Sequence, residues 1–265
     1  STHCISSAAS DVYKRQQVKP LLVLTTLGED GQFSGERAHR LLNTPTARAA
    51  LIENLAQVLA MQGFAGVDID FEYVPPEDAD AYAAFVRSVR ERLSPAGYTV
   101  FAALAPKTSA AQQGLLYEAH DYAALGSAAD RALLMTYEWG YALAAPMAVA
   151  PINKVEQVVR FAVSQVPPDK LFMGIPNYGY DWTLPYVQGQ SRARSLGSVQ
   201  AVEQAIQVGA PIRYDATAQS PHYNYWRDRA EHEVWFEDAR SVRAKLALAL
   251  SLIHISEPTR PEPIS

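Results

Sequence analysis

Apolar and polar positions follow two rhythms along this chain. Pro20–Thr26 (PLLVLTT) is a short run of β-forming residues, and Gly66–Tyr73 (GVDIDFEY) alternates with a period of two, so both predict strands. Tyr98–Pro106, Ala132–Tyr137 and Leu171–Tyr178 predict three more. Between them the spacing becomes helical: Leu51, Ile52, Leu55, Val58 and Leu59; then Tyr82, Phe85, Val86, Val89 and Leu93; then Val155, Val158, Val159, Ala162, Val163 and Val166. Thr44-Pro45 reads as the cap and first-turn proline of the first of these helices. Strand–helix alternation predicts an α/β fold of parallel βαβ units. The rhythm breaks from about 182 to 236, an aromatic and polar stretch with short strand candidates. One helical pattern stands there (Val199, Val202, Ala205, Ile206), so the stretch reads as a small α+β insertion. A last helix begins near Ser241.

The two ends carry neither rhythm. Residues 1–16 contain VYKRQ and residues 251–265 contain LIHISEPTR, and both resemble sequencing-adapter sequence read as protein. They are expected artefacts, leaving 17–250 as the body. Hydrophobic residues make up 48% of the chain, enough for a sizeable core, which excludes a mostly disordered protein. Lys and Arg number 23 against 28 Asp and Glu, with no basic cluster, which argues against a nucleic-acid partner. No apolar run approaches the roughly 18 residues of a membrane span. The single cysteine, Cys4, excludes a disulfide framework and a Cys-based zinc site.

Candidate chemistry concentrates in the alternating strand. Asp68, Asp70 and Glu72 stand at i, i+2 and i+4, so they share one face, with Val67, Ile69 and Phe71 on the other. Neighbouring carboxylates would lie roughly 7 Å apart. At an effective dielectric of about 20 they would repel by about 2.4 kcal/mol, enough to keep one protonated near neutrality. A raised carboxylic acid beside an ionised one suits general-acid catalysis. A plain amphipathic strand with a solvated acidic face is the bland alternative, and it fits poorly in a parallel sheet covered on both sides. A divalent-metal site is a second functional reading, weakened by the lack of a Gly-rich phosphate loop or basic cluster.

At Ala65–Glu72, AGVDIDFE resembles the active-site signature Asp-Gly-x-Asp-x-Asp-x-Glu of glycoside hydrolase family 18, with Ala65 in place of the first Asp. Met135–Trp139 (MTYEW) resembles the family's Met-x-Tyr-Asp segment at barrel strand six, with Glu138 for Asp. Gly174–Trp182 (GIPNYGYDW) resembles the strand-seven segment, and Val234–Ala239 (VWFEDA) the return from the insertion. APKTSA, HDYAALG, MTYEWGY and YDWTLPY together resemble the spore-envelope and cortex-lytic subgroup, whose members usually carry lysin-motif repeats ahead of the barrel. The resemblance covers about residues 17–250.

It implies a (β/α)8 TIM barrel with active-site groups at the C-terminal strand ends. It further implies a retaining, substrate-assisted glycosidase acting on N-acetylglucosamine-containing glycan such as spore cortex or cell-wall peptidoglycan. Glu72 would be the general acid/base, Asp70 would orient the acetamido group, Asp68 would tune Asp70, and Tyr137 would bond the acetamido oxygen. Tyr73, Glu138, Trp139, Asn177, Tyr178 and Trp182 would contact the glycan. The four tryptophans and many tyrosines of the second half read equally as sugar platforms or as insertion core. The histidines (His39, His120, His222, His232) lack a metal-ligand spacing and read as structural. No metal or organic cofactor is implied, and a monomer is expected in the spore envelope, cell wall or extracellular space. Chitin hydrolysis and non-catalytic glycan binding are the rivals, the latter disfavoured by Glu72. Because only family strands three to seven are counted, near residues 23, 69, 102, 135 and 174, the chain as written is expected to be an incomplete, inactive barrel.

Overall fold

The computed structural model describes residues 18–253. The head expected to be artefact, with Cys4, lies outside them, as do residues 254–265 of the tail. The chain forms two compact units: residues up to Met135 together with Phe161–Phe172, and Thr136–Arg160 together with residues from Met173 onward.

In the first unit the elements follow the predicted alternation. They are β1 (Leu21–Thr25), α1 (Gly35–Leu42), α2 (Pro45–Gln62), β2 (Gly66–Asp70), α3 (Ala79–Leu93), β3 (Thr99–Leu104), α4 (Tyr122–Ala128) and β4 (Arg131–Leu134). Helix α5 (Ile152–Gln165), whose residues divide between the two units, then leads to β5 (Leu171–Met173). The five strands form one sheet in chain order, with β1 to β4 paired in parallel. This strand-and-helix order is the one that the resemblance to glycoside hydrolase family 18 implies for successive units of a TIM-type barrel. Among the described residues the sheet does not close on itself, and β1 and β5 stand at its ends.

One face of the sheet is dry. Val67, Ile69, Val100, Ala102, Leu104, Ala132 and Leu134 are wholly buried, as are the five positions that predicted α3. On the opposite face the register aligns Val23, Asp68, Phe101 and Arg131 in one row, with Val23 exposed. Helix α2 starts with Pro45 at its first turn, as predicted. The Thr44 hydroxyl does not cap it and instead donates to the Arg40 carbonyl at 2.6 Å.

Strands end earlier than the alternation predicts. β2 stops at Asp70, so Glu72 lies two residues past the ladder rather than within it. Tyr73 then turns with φ 56°. β4 stops at Leu134 and β5 at Met173, and Tyr178 opens a separate strand. Side-chain alternation persists in extended backbone that has left the sheet, so it overshoots where strands feed loops.

The second unit holds β6 (Tyr178–Thr183), β7 (Arg194–Gly197), α6 (Ser198–Gln207), β8 (Arg213–Asp215), β9 (Ser220–Arg227), β10 (Ala230–Trp235) and α7 (Ala239–Leu252). The strands form an antiparallel sheet in the order β7-β6-β10-β9-β8. It therefore begins at Tyr178, four residues before the expected insertion boundary. Helix α6 turns its small side to the sheet: Ala201, Gln204 and Ala205 are buried, while Val199 and Ile206 are exposed. Of the four positions that predict this helix only Ala205 is buried, and Val202 is exposed with Val199 and Ile206, because the buried face is the one whose Gln204 the buried Asp181 carboxylate claims. That carboxylate accepts from Tyr225 Oη (2.7 Å), Gln204 Nε2 (3.1 Å) and Arg194 (3.0 Å), and His232 Nδ1 lies 3.0 Å away. Helix α7 continues to Leu252, two residues into the tail expected to lack periodicity.

Gly66 packs so closely on β3 that a methyl there would overlap the Thr99 carbonyl oxygen. Gly66→Ala should therefore destabilise the chain by about 3 kcal/mol, read as a lower urea midpoint. An unchanged midpoint would contradict the close approach of β2 and β3.

Candidate active site

Strand β2 places Asp68 and Asp70 on the sheet face opposite Val67 and Ile69 because successive side chains alternate. Both carboxyls are partly enclosed, and one oxygen of each, Oδ1, is buried without a hydrogen-bond partner. Burial, with the Asp70 charge second, raises the Asp68 pKa from 3.8 to about 6. Burial also raises that of Asp70. Desolvation thus has the larger part in the Asp68 shift, and the mutual repulsion expected from the i, i+2 spacing the smaller. Tyr82 is buried beside them, and burial together with the charges of Asp70, Asp68 and Glu72 holds its hydroxyl firmly protonated.

Past the strand end, Glu72 and Tyr73 line an open groove of about 750 Å³ with Gln32, Phe33, Glu36 and Leu115. The N-terminus of α1 contributes Gly35 and Glu36 to its lining. Gly35 is needed there, because any β-carbon would strike the Tyr73 carbonyl oxygen. A cluster of three polar side chains holds α1 to the turn after β2: Asp78 accepts from Asn43 Nδ2 at 2.8 Å and lies 2.7 Å from His39 Nδ1. Asp78 is 3% exposed and precedes α3. Among the described residues no group of three His, Cys, Asp or Glu side chains is arranged to hold a metal ion. No helix among them is long and apolar enough to cross a membrane.

The second unit holds the remaining candidates. Glu138 adopts φ 66°, and its Oε1 accepts from Tyr178 Oη at 2.6 Å and Tyr180 Oη at 2.9 Å. Burial, then the bond to Glu138, pushes both phenols up, so each donates to the carboxylate. Tyr178, Tyr180 and Trp182 share one face of β6 and run from surface to core. Trp182, expected at the glycan, is 1% exposed with Nε1 bonded to the Ala144 carbonyl at 2.7 Å, so its ring is enclosed. Tyr137, like Tyr178 and Trp235, packs against the buried cluster of Val149, Tyr180, Trp182 and Ala193. Trp139 is partly buried, and its backbone N–H donates to the Val149 carbonyl at 3.0 Å. Asn177 is exposed, and its carbonyl accepts from Ser198 Oγ at 2.9 Å. Tyr180, one of the tyrosines that read equally as sugar platform or insertion core, joins Tyr178 on Glu138, and the Tyr-x-Tyr-x-Trp alternation in YGYDW is the signal that sets it apart.

Residues 10–252 match the model of the glycosyl hydrolases family 18. The chain is 46% identical over 230 residues to the cortical fragment-lytic enzyme of Bacillus cereus, covering 86% of this chain and 53% of that protein. It superposes on the crystal structure of the Bacillus cereus spore cortex-lytic enzyme SleL with a TM-score of 0.90 at 42% identity, over 94% of this chain and 58% of that one. A chitinase from Chromobacterium violaceum is similar at a TM-score of 0.85 and 26% identity, over 94% of this chain and 77% of its own. The chain thus spans about half the length of the cortex-lytic relatives.

The raised Asp68 pKa makes stability depend on pH. Its proton-linked contribution is fully present below about 3.8 and is lost as pH rises through about 6. Asp68→Asn removes that loss, so the variant should gain on the wild type between pH 4 and pH 7, by the order of 1–3 kcal/mol. Urea unfolding at both pH values reads the difference. A gap that stays constant with pH would contradict a raised Asp68.

Proposed function

The chain belongs to glycosyl hydrolase family 18, and on that footing we propose that it serves a glycosidase that cleaves N-acetylglucosamine-containing glycan of the spore cortex with retention of configuration. The names of its relatives, which refer to cortical fragments and spore cortex lysis, support that substrate and a place of action in the spore envelope. The observation that carries the chemistry is the proximity at one strand end of two desolvated carboxyls, Asp68 and Asp70, and a third, Glu72, that opens into a groove.

Glu72 is the general acid. It gives its proton to the glycosidic oxygen as the bond to the anomeric carbon breaks. The substrate's own acetamido oxygen attacks that carbon and forms a cyclic oxazolinium, so no carboxylate nucleophile is required. Glu72, now ionised, takes a proton from water as the water opens the ring. Asp70 orients the acetamido group and shares a proton with Glu72, while Asp68, two positions deeper, sets how readily Asp70 ionises. Tyr137 bonds the acetamido oxygen. Glu138, held by Tyr178 and Tyr180, contacts the sugar, as do Tyr73, Trp139 and Asn177. The complete enzyme acts as a monomer and needs neither metal nor organic cofactor.

In the full-length gene product, Glu72→Gln should lower turnover of N-acetylated muropeptide by at least roughly 10²-fold while binding persists, since a positioned general acid contributes about 10²–10⁴. Turnover like that of the wild type would remove Glu72 from this role. De-N-acetylated glycan should not be cleaved, a thiazoline mimic of the cyclic intermediate should compete with substrate, and EDTA should leave the rate unchanged. Equal rates on both glycans would overturn the substrate-assisted step, and loss of activity in EDTA would point to a metal.

A further inference from the structure

His120 is wholly buried in the first unit, and both ring nitrogens are engaged. The Ala105 backbone N–H donates to Nδ1 at 3.1 Å, so Nδ1 is an acceptor and the ring proton sits on Nε2. Nε2 in turn donates to the Phe71 carbonyl at 3.1 Å. Burial, reinforced by the Lys107 charge, lowers the ring's pKa to about 4, which keeps this tautomer neutral at pH 7. Ala105 is the first residue past β3, and Phe71 the first past β2. The last paired residues of these strands are Ile69 and Ala102. The imidazole therefore bridges an N–H and a C=O, the two kinds of group a continued ladder would join directly, where the strands have parted.

Phe71 is the residue between Asp70 and Glu72, and its side chain is held as firmly as its carbonyl. Its ring stacks on Tyr82 at 5.5 Å and on Phe85 at 5.7 Å, and Tyr82 meets the His120 ring edge-on at 5.9 Å. The bridge is itself braced. Lys107 Nζ donates to the His120 carbonyl at 3.1 Å, and Tyr122 Oη donates to the Ala105 carbonyl at 2.6 Å while accepting from the Lys107 N–H at 3.0 Å.

We propose that His120 is a positioning residue: by holding the Phe71 carbonyl it fixes the backbone between Asp70 and Glu72, and so aims the two carboxyls that act on the glycan. This rests on the function proposed above. His120 touches no substrate and donates no proton to it. Its effect is on geometry, and misplacement of about 1 Å in a reacting group costs on the order of 10²-fold in rate.

Two substitutions separate the two bonds. In His120→Asn the amide oxygen takes the place of Nδ1 toward Ala105, but the side chain is too short to reach Phe71. In His120→Gln the amide nitrogen takes the place of Nε2 toward Phe71. In the full-length gene product acting on N-acetylated muropeptide, His120→Asn should lower kcat by roughly 10- to 100-fold. KM should hardly change, and His120→Gln should recover most of the loss. Nitrogen-15 NMR of the wild-type ring should show protonated Nε2 and bare Nδ1. An unchanged kcat in His120→Asn, losses in both variants that merely track melting temperature, or a proton on Nδ1 would each overturn the proposal. A wild type that binds but does not cleave the glycan overturns the proposed activity instead, and the ring NMR still decides for or against the bridge.

Discussion

Placing two carboxyls in a parallel strand whose other face must stay dry is the constraint on which the first unit is built. Val67 and Ile69 are wholly buried, so β2 cannot shift register by one residue without turning Asp68 and Asp70 into the apolar layer. Held on the opposite face, the acids lose water without gaining enough partners, as the two unpaired Oδ1 atoms record. The raised pKa of Asp68 and Asp70 follows from that imbalance more than from their mutual charge. Packing on one side of the strand thus governs protonation on the other.

The end of the strand matters as much as its middle. By leaving the sheet after Asp70, the chain frees Glu72 to face a groove instead of a neighbouring strand. A segment that has left its ladder needs other supports, and several converge here: the aromatic stack on Phe71, the His120 bridge, and the α1 terminus seated on Tyr73 through Gly35. In the second unit the same principle recurs with different groups. Asp181 gathers donors from three elements, and Glu138 is held at positive φ by two tyrosine hydroxyls.

Much of this was legible in the sequence because burial imposes periods. The α3 positions Tyr82, Phe85, Val86, Val89 and Leu93 were read correctly, since a helix against a sheet shows its apolar stripe directly. The existence and order of the five strands and the acidic triplet were legible for the same reason. Strand ends were not, because alternation continues after hydrogen bonding stops. The buried face of α6 was hidden because a polar residue, Gln204, is recruited by a carboxylate 23 residues away. Trp182 read as a sugar platform when its indole in fact fills the core, and no local pattern separates those two uses of an aromatic ring. His120 read as structural, since its partners Phe71 and Ala105 are distant in sequence.

Desolvation by the fold, rather than sequence proximity alone, sets the proton affinity of the acidic strand, and this dependence is open to direct measurement. It is tested most directly by following the Asp68 carboxyl carbon by NMR in the folded protein between pH 4 and pH 8. The expected midpoint is about 6. A midpoint near the ordinary value of 3.8 would contradict it, because Asp68 would then be as well solvated in the sheet as in an unfolded chain.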